Sequence, residues 1–158
     1  ANRRIAWPRL ALELARWEWL ELVREVAEEE SPVAGVDPAG DLVDGVPVLS
    51  PLAVLHAGHW PVHRIGPDFL PAAPEPQPRF LLVYRDRRDA VRFLELNAAS
   101  AQLFTLLREQ PALAGRAAAA ALAAAWQHPD PAVVLAGVAE TLEGWRARDI
   151  IAGSRLSD

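Results

Sequence analysis

The chain has no cysteine, no methionine and no lysine. Without cysteine there is no disulfide, no thiolate zinc site and no cysteine nucleophile, which fits a cytoplasmic protein. No apolar run approaches the roughly 20 residues that span a bilayer, so no membrane partner is expected. The opening stretch ANRRIAWPRL also lacks the apolar core of a signal peptide. The missing methionine, the initiator included, reads as a processed chain or as a piece of a longer protein. All sixteen basic residues are arginine and the formal net charge is −5. That balance argues against DNA as a partner, because phosphate binding wants a basic surface. A nucleophile elbow, a Walker loop and a dinucleotide fingerprint are all missing. Ser50 and Ser100 have no identifiable base, so the chain reads as a non-enzyme that needs no cofactor.

What is present is enough for one domain of ordinary size. Of 158 residues, 51% are hydrophobic, which supplies a core and excludes disorder throughout. The fold class expected is α+β, in three parts. Residues 1–30 carry a helix from about Pro8 to Glu30, with Pro8 in a first turn where its missing N–H is harmless. Leu10, Leu14, Trp17 and Leu20 form one stripe, and Leu12, Trp19, Leu22 and Val26 a second. An apolar surface that broad is covered on more than one side.

Residues 31–78 hold ten of the fourteen prolines, a density that leaves no long helix and no central strand. GVPVLSP and WPVHRI fit short edge strands, and PAAPEPQP fits a stiff, extended spacer.

Residues 79–158 turn regular. RFLLVYRD and AVRFLELN are strand-like runs joined by a charged turn at Arg87 and Arg88. Both faces of the hairpin carry apolar side chains. Leu81 and Val83 are grouped with Leu94 and Leu96, and Phe80, Leu82 and Tyr84 with Val91 and Phe93. A sheet apolar on both sides is covered on both. Three helices follow: AASAQLFTLLRE capped by Asn97, GRAAAAALAAAWQ, and a third with Asp130 as cap and Pro131 at its first position. IIAGS closes the chain as a wing or a last strand. A small antiparallel sheet followed by three helices is a winged-helix-like layout.

The segment HAGHWPVHRI, with His56, His59 and His63, is the one metal-like pattern. On a helix the three would share a face, but Gly58 and Pro61 break that helix. On a strand, His59 and His63 stand about 13 Å apart and His56 points away, whereas zinc needs its ligands about 2.1 Å from one point. The histidines therefore read as structural, and no metal site is assigned. A winged helix also invites a DNA-binding regulator as the alternative. The second helix is mostly alanine, which reads no base edge, and Arg146 and Arg148 lie at the far end of the third. Only Arg85, Arg87, Arg88 and Arg92 of the hairpin could touch phosphates.

The stretch WPVHRIGPDFLPAAPEPQPRFLLVYRDRRDAVRFLELNAASAQLFTLLRE resembles the C-terminal part of the HvfC-type family. WPVHRI, the proline spacer with RFLLVYRD, and RFLELN are its most specific pieces. The methanobactin synthase partner subunit is a more distant relative. The resemblance implies a subunit that pairs with a multinuclear-iron enzyme acting on ribosomally made peptides. The iron would then belong to the partner enzyme. From Arg79 onward the chain also resembles PqqD-like recognition elements, where a precursor leader peptide adds as a strand to the sheet edge. That comparison implies an edge at Val91, Phe93 and Glu95, with a groove completed by Leu135, Val138 and Leu142. The family's N-terminal helical domain has no counterpart here, and Pro8 to Glu30 would be its tail or a connector.

Overall fold

A computed structural model of the chain describes Glu13, Trp17, Glu18 and residues 34–60, 67–69 and 71–156. Most of the helix expected from Pro8 to Glu30 lies outside the described residues, although Glu13, Trp17 and Glu18 all have helical backbone. WPVHRI likewise falls outside them beyond Trp60.

The elements run β1 (Val46–Leu49), β2 (Val54–Gly58), β3 (Arg79–Arg85), β4 (Val91–Leu96), α1 (Ala98–Glu109), α2 (Gly115–Ala125), α3 (Pro131–Ala147) and β5 (Ile151–Arg155). The class is α+β, as the sequence pattern implies. β2, β3 and β4 form one antiparallel sheet in that spatial order, and β1 pairs with β5 in a second. Thus the proline-rich segment does not stand apart. It contributes β2 to the main sheet and β1 to the strand that closes the chain.

Local chemistry starts the helices where expected. The Asn97 side chain accepts from the Ser100 N–H at 2.8 Å, and the Asp130 side chain from the Ala132 N–H at 3.0 Å. Each satisfies a first-turn donor that has no partner within its helix. The start of α2 is held differently. Gly115 and Arg116 donate their N–H groups to the carbonyls of Gly45 and Val43, at 3.2 and 2.7 Å. A Cβ on Gly115 would meet the Leu42 carbonyl oxygen at 2.0 Å. Glycine is therefore needed for this close approach.

The hairpin corrects the expected faces. Partners across β3 and β4 share parity: Leu81 faces Glu95, Leu82 faces Leu94, Val83 faces Phe93 and Tyr84 faces Arg92. Leu81 and Val83 therefore lie with Val91 and Phe93, not with Leu94 and Leu96. The Asp86–Ala90 turn sets this register, and a turn one residue longer or shorter would have exchanged the faces of one strand.

The main core lies between the sheet and the helices. Leu82, Tyr84 and Leu96 pack there with Leu103, Phe104 and Leu107 of α1, Leu122 of α2, and Leu142 and Trp145 of α3. The opposite face carries a smaller cluster of Trp17, Trp60, Leu81 and Val83, with Val91 against it. Both faces are covered, the second by a tryptophan some forty residues ahead of the sheet.

Candidate peptide-docking edge

A three-stranded sheet has two edges, here β2 and β4. Only alternate residues of an antiparallel edge strand spend their backbone groups on the neighbour, and the others point outward. The Asp86 N–H donates to the Ala90 carbonyl at 3.0 Å, which fixes the phase. With the observed register, Arg92, Leu94 and Leu96 exchange hydrogen bonds with β3. The backbone N–H and C=O groups of Val91, Phe93 and Glu95 then face away from it. Among the described residues no strand pairs with that side of β4.

The same phase carried across β3 turns Val54, His56 and Gly58 toward the sheet and leaves Leu55 and Ala57 outward. This edge is blocked at both ends. Arg108 of α1 reaches across to donate to the Ala53 carbonyl at 2.5 Å. At the other end the Glu13 carboxylate accepts from the N–H groups of His59 and Trp60, at 3.2 and 3.1 Å. A groove of about 480 Å³ runs beside β2 along α1, lined by Val54, Leu55, Thr105 and Glu109 among others, with Arg108 also on its wall. Charged side chains set on an edge in this way hinder further strand pairing. β4 carries Arg92 and Glu95, both paired within the chain, and among the described residues no side chain bonds to its outward backbone groups.

Gly58 explains how Glu13 comes so close. A Cβ there would meet Glu13 Oε2 at 2.4 Å. Glu13 and Trp17, both with helical backbone, are four residues apart, the spacing of one helix face. One anchors on the end of β2, and the other lies on the sheet.

The charges of β4 are matched within the chain. Arg92 pairs with Asp86 at 3.0 Å, and Glu95 accepts from Arg79 at 2.8 Å. Arg79 also binds Glu75 through two nitrogens, and this hydrogen bonding, more than any other influence, raises its already high pKa. The Glu75 N–H in turn donates to the His59 carbonyl at 2.6 Å. The proline spacer is thereby tied to both β2 and β4. Asp86 accepts from Arg92 and from the N–H groups of Ala90 and Arg88, and its carboxyl is held below the usual carboxylate range, by Arg92 first and Ala90 next.

The expected site residues divide. Val91, Phe93 and Glu95 lie together along the open edge, with Phe93 42% exposed. Leu135, Val138 and Leu142 do not complete a groove beside them. α3 packs on α2 and β5 rather than on β4, and Val138 and Leu142 are 5% and 0% exposed within the main core. Their helical spacing marks a buried stripe, which here faces the protein interior. Leu135 is half-buried against the same core.

Of the arginines proposed for phosphates, Arg85 pairs with Asp89 at 3.3 Å, Arg87 with Asp149 at 2.6 Å and Arg92 with Asp86. These aspartates offset three of the four charges, and Arg88 of the turn is exposed. His56 is buried in β2 with its ring edge-on to Trp17, centroids 5.8 Å apart. The His59 Nδ1 lies 3.1 Å from the Glu75 carbonyl, and His63 lies outside the described residues. Among those residues no three His, Asp or Glu side chains converge as metal ligands, and no helix is long and apolar enough to cross a membrane.

The sequence marks Trp17 only as part of an apolar helical stripe, and it carries no direct sign of the roles of Glu13, Arg79 and Arg108. The one signal for Glu13 was Gly58, since a glycine within a strand marks a close approach by something else.

No curated protein matches the chain. The pattern of the HvfC C-terminal domain matches residues 50–146, from the turn ahead of β2 almost to the end of α3. That range takes in both edges of the sheet and more than half of the chain. The chain therefore belongs to the HvfC family, and its membership points to an accessory subunit of a modifying system rather than to a catalytic one.

Proposed function

We propose that this chain binds the leader of a ribosomally made precursor peptide as a fourth strand along β4 and presents it to a multinuclear-iron modifying enzyme. The observation that carries this reading is the asymmetry of the two edges. β2 is blocked by Arg108 and Glu13, whereas Val91, Phe93 and Glu95 of β4 offer alternate backbone donors and acceptors on its outer side. Strand addition draws its affinity from such main-chain bonds and its selectivity from pockets for alternate side chains. Each bond contributes about 1 kcal/mol net, so side-chain contacts must supply much of the discrimination. The iron and the chemistry would belong to the partner enzyme, and this chain would contribute position.

The test is amide hydrogen exchange on the chain with a synthetic leader of the precursor encoded beside it, at low and high salt. The amides of Arg92, Leu94 and Leu96 should be protected already in the free chain. Those of Val91, Phe93 and Glu95 should become protected only when the peptide is added, at either salt concentration. Protection that appears instead along β2 would overturn the choice of strand. Salt-sensitive binding of duplex DNA without any response to peptide would favour the regulator.

A further inference from the structure

Two aromatic rings meet beside the open edge. Trp17 is 4% exposed, and its ring centroid lies 4.7 Å from that of Phe93. Phe93 nevertheless keeps 42% of its surface in solvent. Because its backbone points outward, Phe93 would form a hydrogen-bonded pair with one residue of an added strand, Cα atoms about 5.5 Å apart. The side chain of that residue would share the Phe93 face and lie against the uncovered part of the ring. The neighbouring charges are spent on Asp86 and Arg79. What the edge presents at this point is apolar: Phe93, Trp17 behind it and half-buried Val91.

We propose that Phe93, backed by Trp17, is the selectivity element of this edge and takes one aromatic or branched aliphatic side chain from an extended peptide with alternating apolar residues. The inference rests on the reading of β4 as the docking strand and adds which side chain that strand reads. Phe93 makes the contact, and Trp17 is a positioning residue that holds the ring against the sheet. Glu13, four positions earlier in the sequence, is anchored on His59 and Trp60 at the end of the same sheet. Glu13 and Trp17, ahead of the winged unit in sequence, thus take part in recognition.

Phage-displayed random dodecapeptides would be panned on the full chain. A selected peptide, fluorescein-labelled, would then be remade with Ala, Leu, Phe or Trp at each apolar position and titrated by anisotropy. The expected result is one position where Ala weakens binding roughly tenfold, equivalent to about 1.4 kcal/mol. Phe93→Thr keeps a strand-forming residue and should erase that preference, so that in this variant the four guest peptides bind alike. Trp17→Leu should reduce the preference in the same direction, with the fold checked by circular dichroism. A second check leaves Trp17 in place: Glu13→Gln should blunt the preference without removing either ring. Equal binding of all four guest peptides would overturn the proposal and leave the β4 reading standing. Failure to retain any peptide would remove both. A concentration-dependent dimer abolished by Phe93→Pro would overturn it too, by showing a second copy of this chain on the edge.

Discussion

Replacing Gly58 by alanine should destabilise this protein only while Glu13 is present. In a strand, alanine is normally better than glycine by about 0.5–1 kcal/mol, because glycine loses more conformational freedom on folding. Here the new methyl would stand 2.4 Å from Glu13 Oε2, so the carboxylate at the end of that side chain must shift. The shift lengthens the bonds from His59 and Trp60, already 3.2 and 3.1 Å, and Trp60 is only 2% exposed. A hydrogen bond to a charged group contributes roughly 1.5–3 kcal/mol, and an unsatisfied buried donor costs about 1–3 kcal/mol. His59 is exposed, so its share is small, and the net expectation for Gly58→Ala is a loss of about 2 kcal/mol. Glu13→Ala should cost about the same. In the Glu13→Ala background the sign should reverse, with Gly58→Ala neutral or stabilising by about 0.5 kcal/mol. Urea denaturation of the four proteins, followed by tryptophan fluorescence, completes the double-mutant cycle. Additive losses would refute the reasoning, since they would mean that Gly58 and Glu13 act separately.

Two further outcomes test other parts of the structure. Leu142→Ala should cost about 2–5 kcal/mol through the cavity it leaves in the main core, as read by thermal melting. Peptide binding per folded molecule should stay unchanged, and a specific loss of affinity at full folding would return Leu142 to the docking groove. Asp86 has a folded pKa lowered by Arg92 and by the Ala90 N–H. Its contribution to the hairpin is therefore present above the ordinary aspartate value of about 3.9 and is lost as pH falls through the lower folded value. Amide shifts of Arg88 and Ala90 should move in that acid window and stay flat in Asp86→Asn. An unchanged acid profile in the variant would assign the transition to another group.

The sequence by itself determined the local elements, because their causes lie within a few residues of each other. Asn97 and Asp130 start their helices through side-chain oxygens two or three residues from the donors they satisfy. The charged turn between RFLLVYRD and AVRFLELN required a hairpin, and the apolar residues on both faces required cover on each. Its exact register was not legible, since a single residue in the turn exchanges the faces, and the structure pairs Leu81 and Val83 with Glu95 and Phe93 rather than with Leu94 and Leu96. Only the tertiary structure decided that Trp17 supplies part of the second cover and that Glu13 seals the end of β2. Those contacts cross more than forty residues, and no spacing rule connects them. Tertiary packing also decided which expected site residues are available. Val91, Phe93 and Glu95 remain on an open strand because nothing among the described residues pairs with it. Leu142 and Val138, equally apolar and equally regular in spacing, are enclosed because α3 turns that stripe inward against the core. Periodicity marks a face to be buried, but what buries it depends on where the rest of the chain goes.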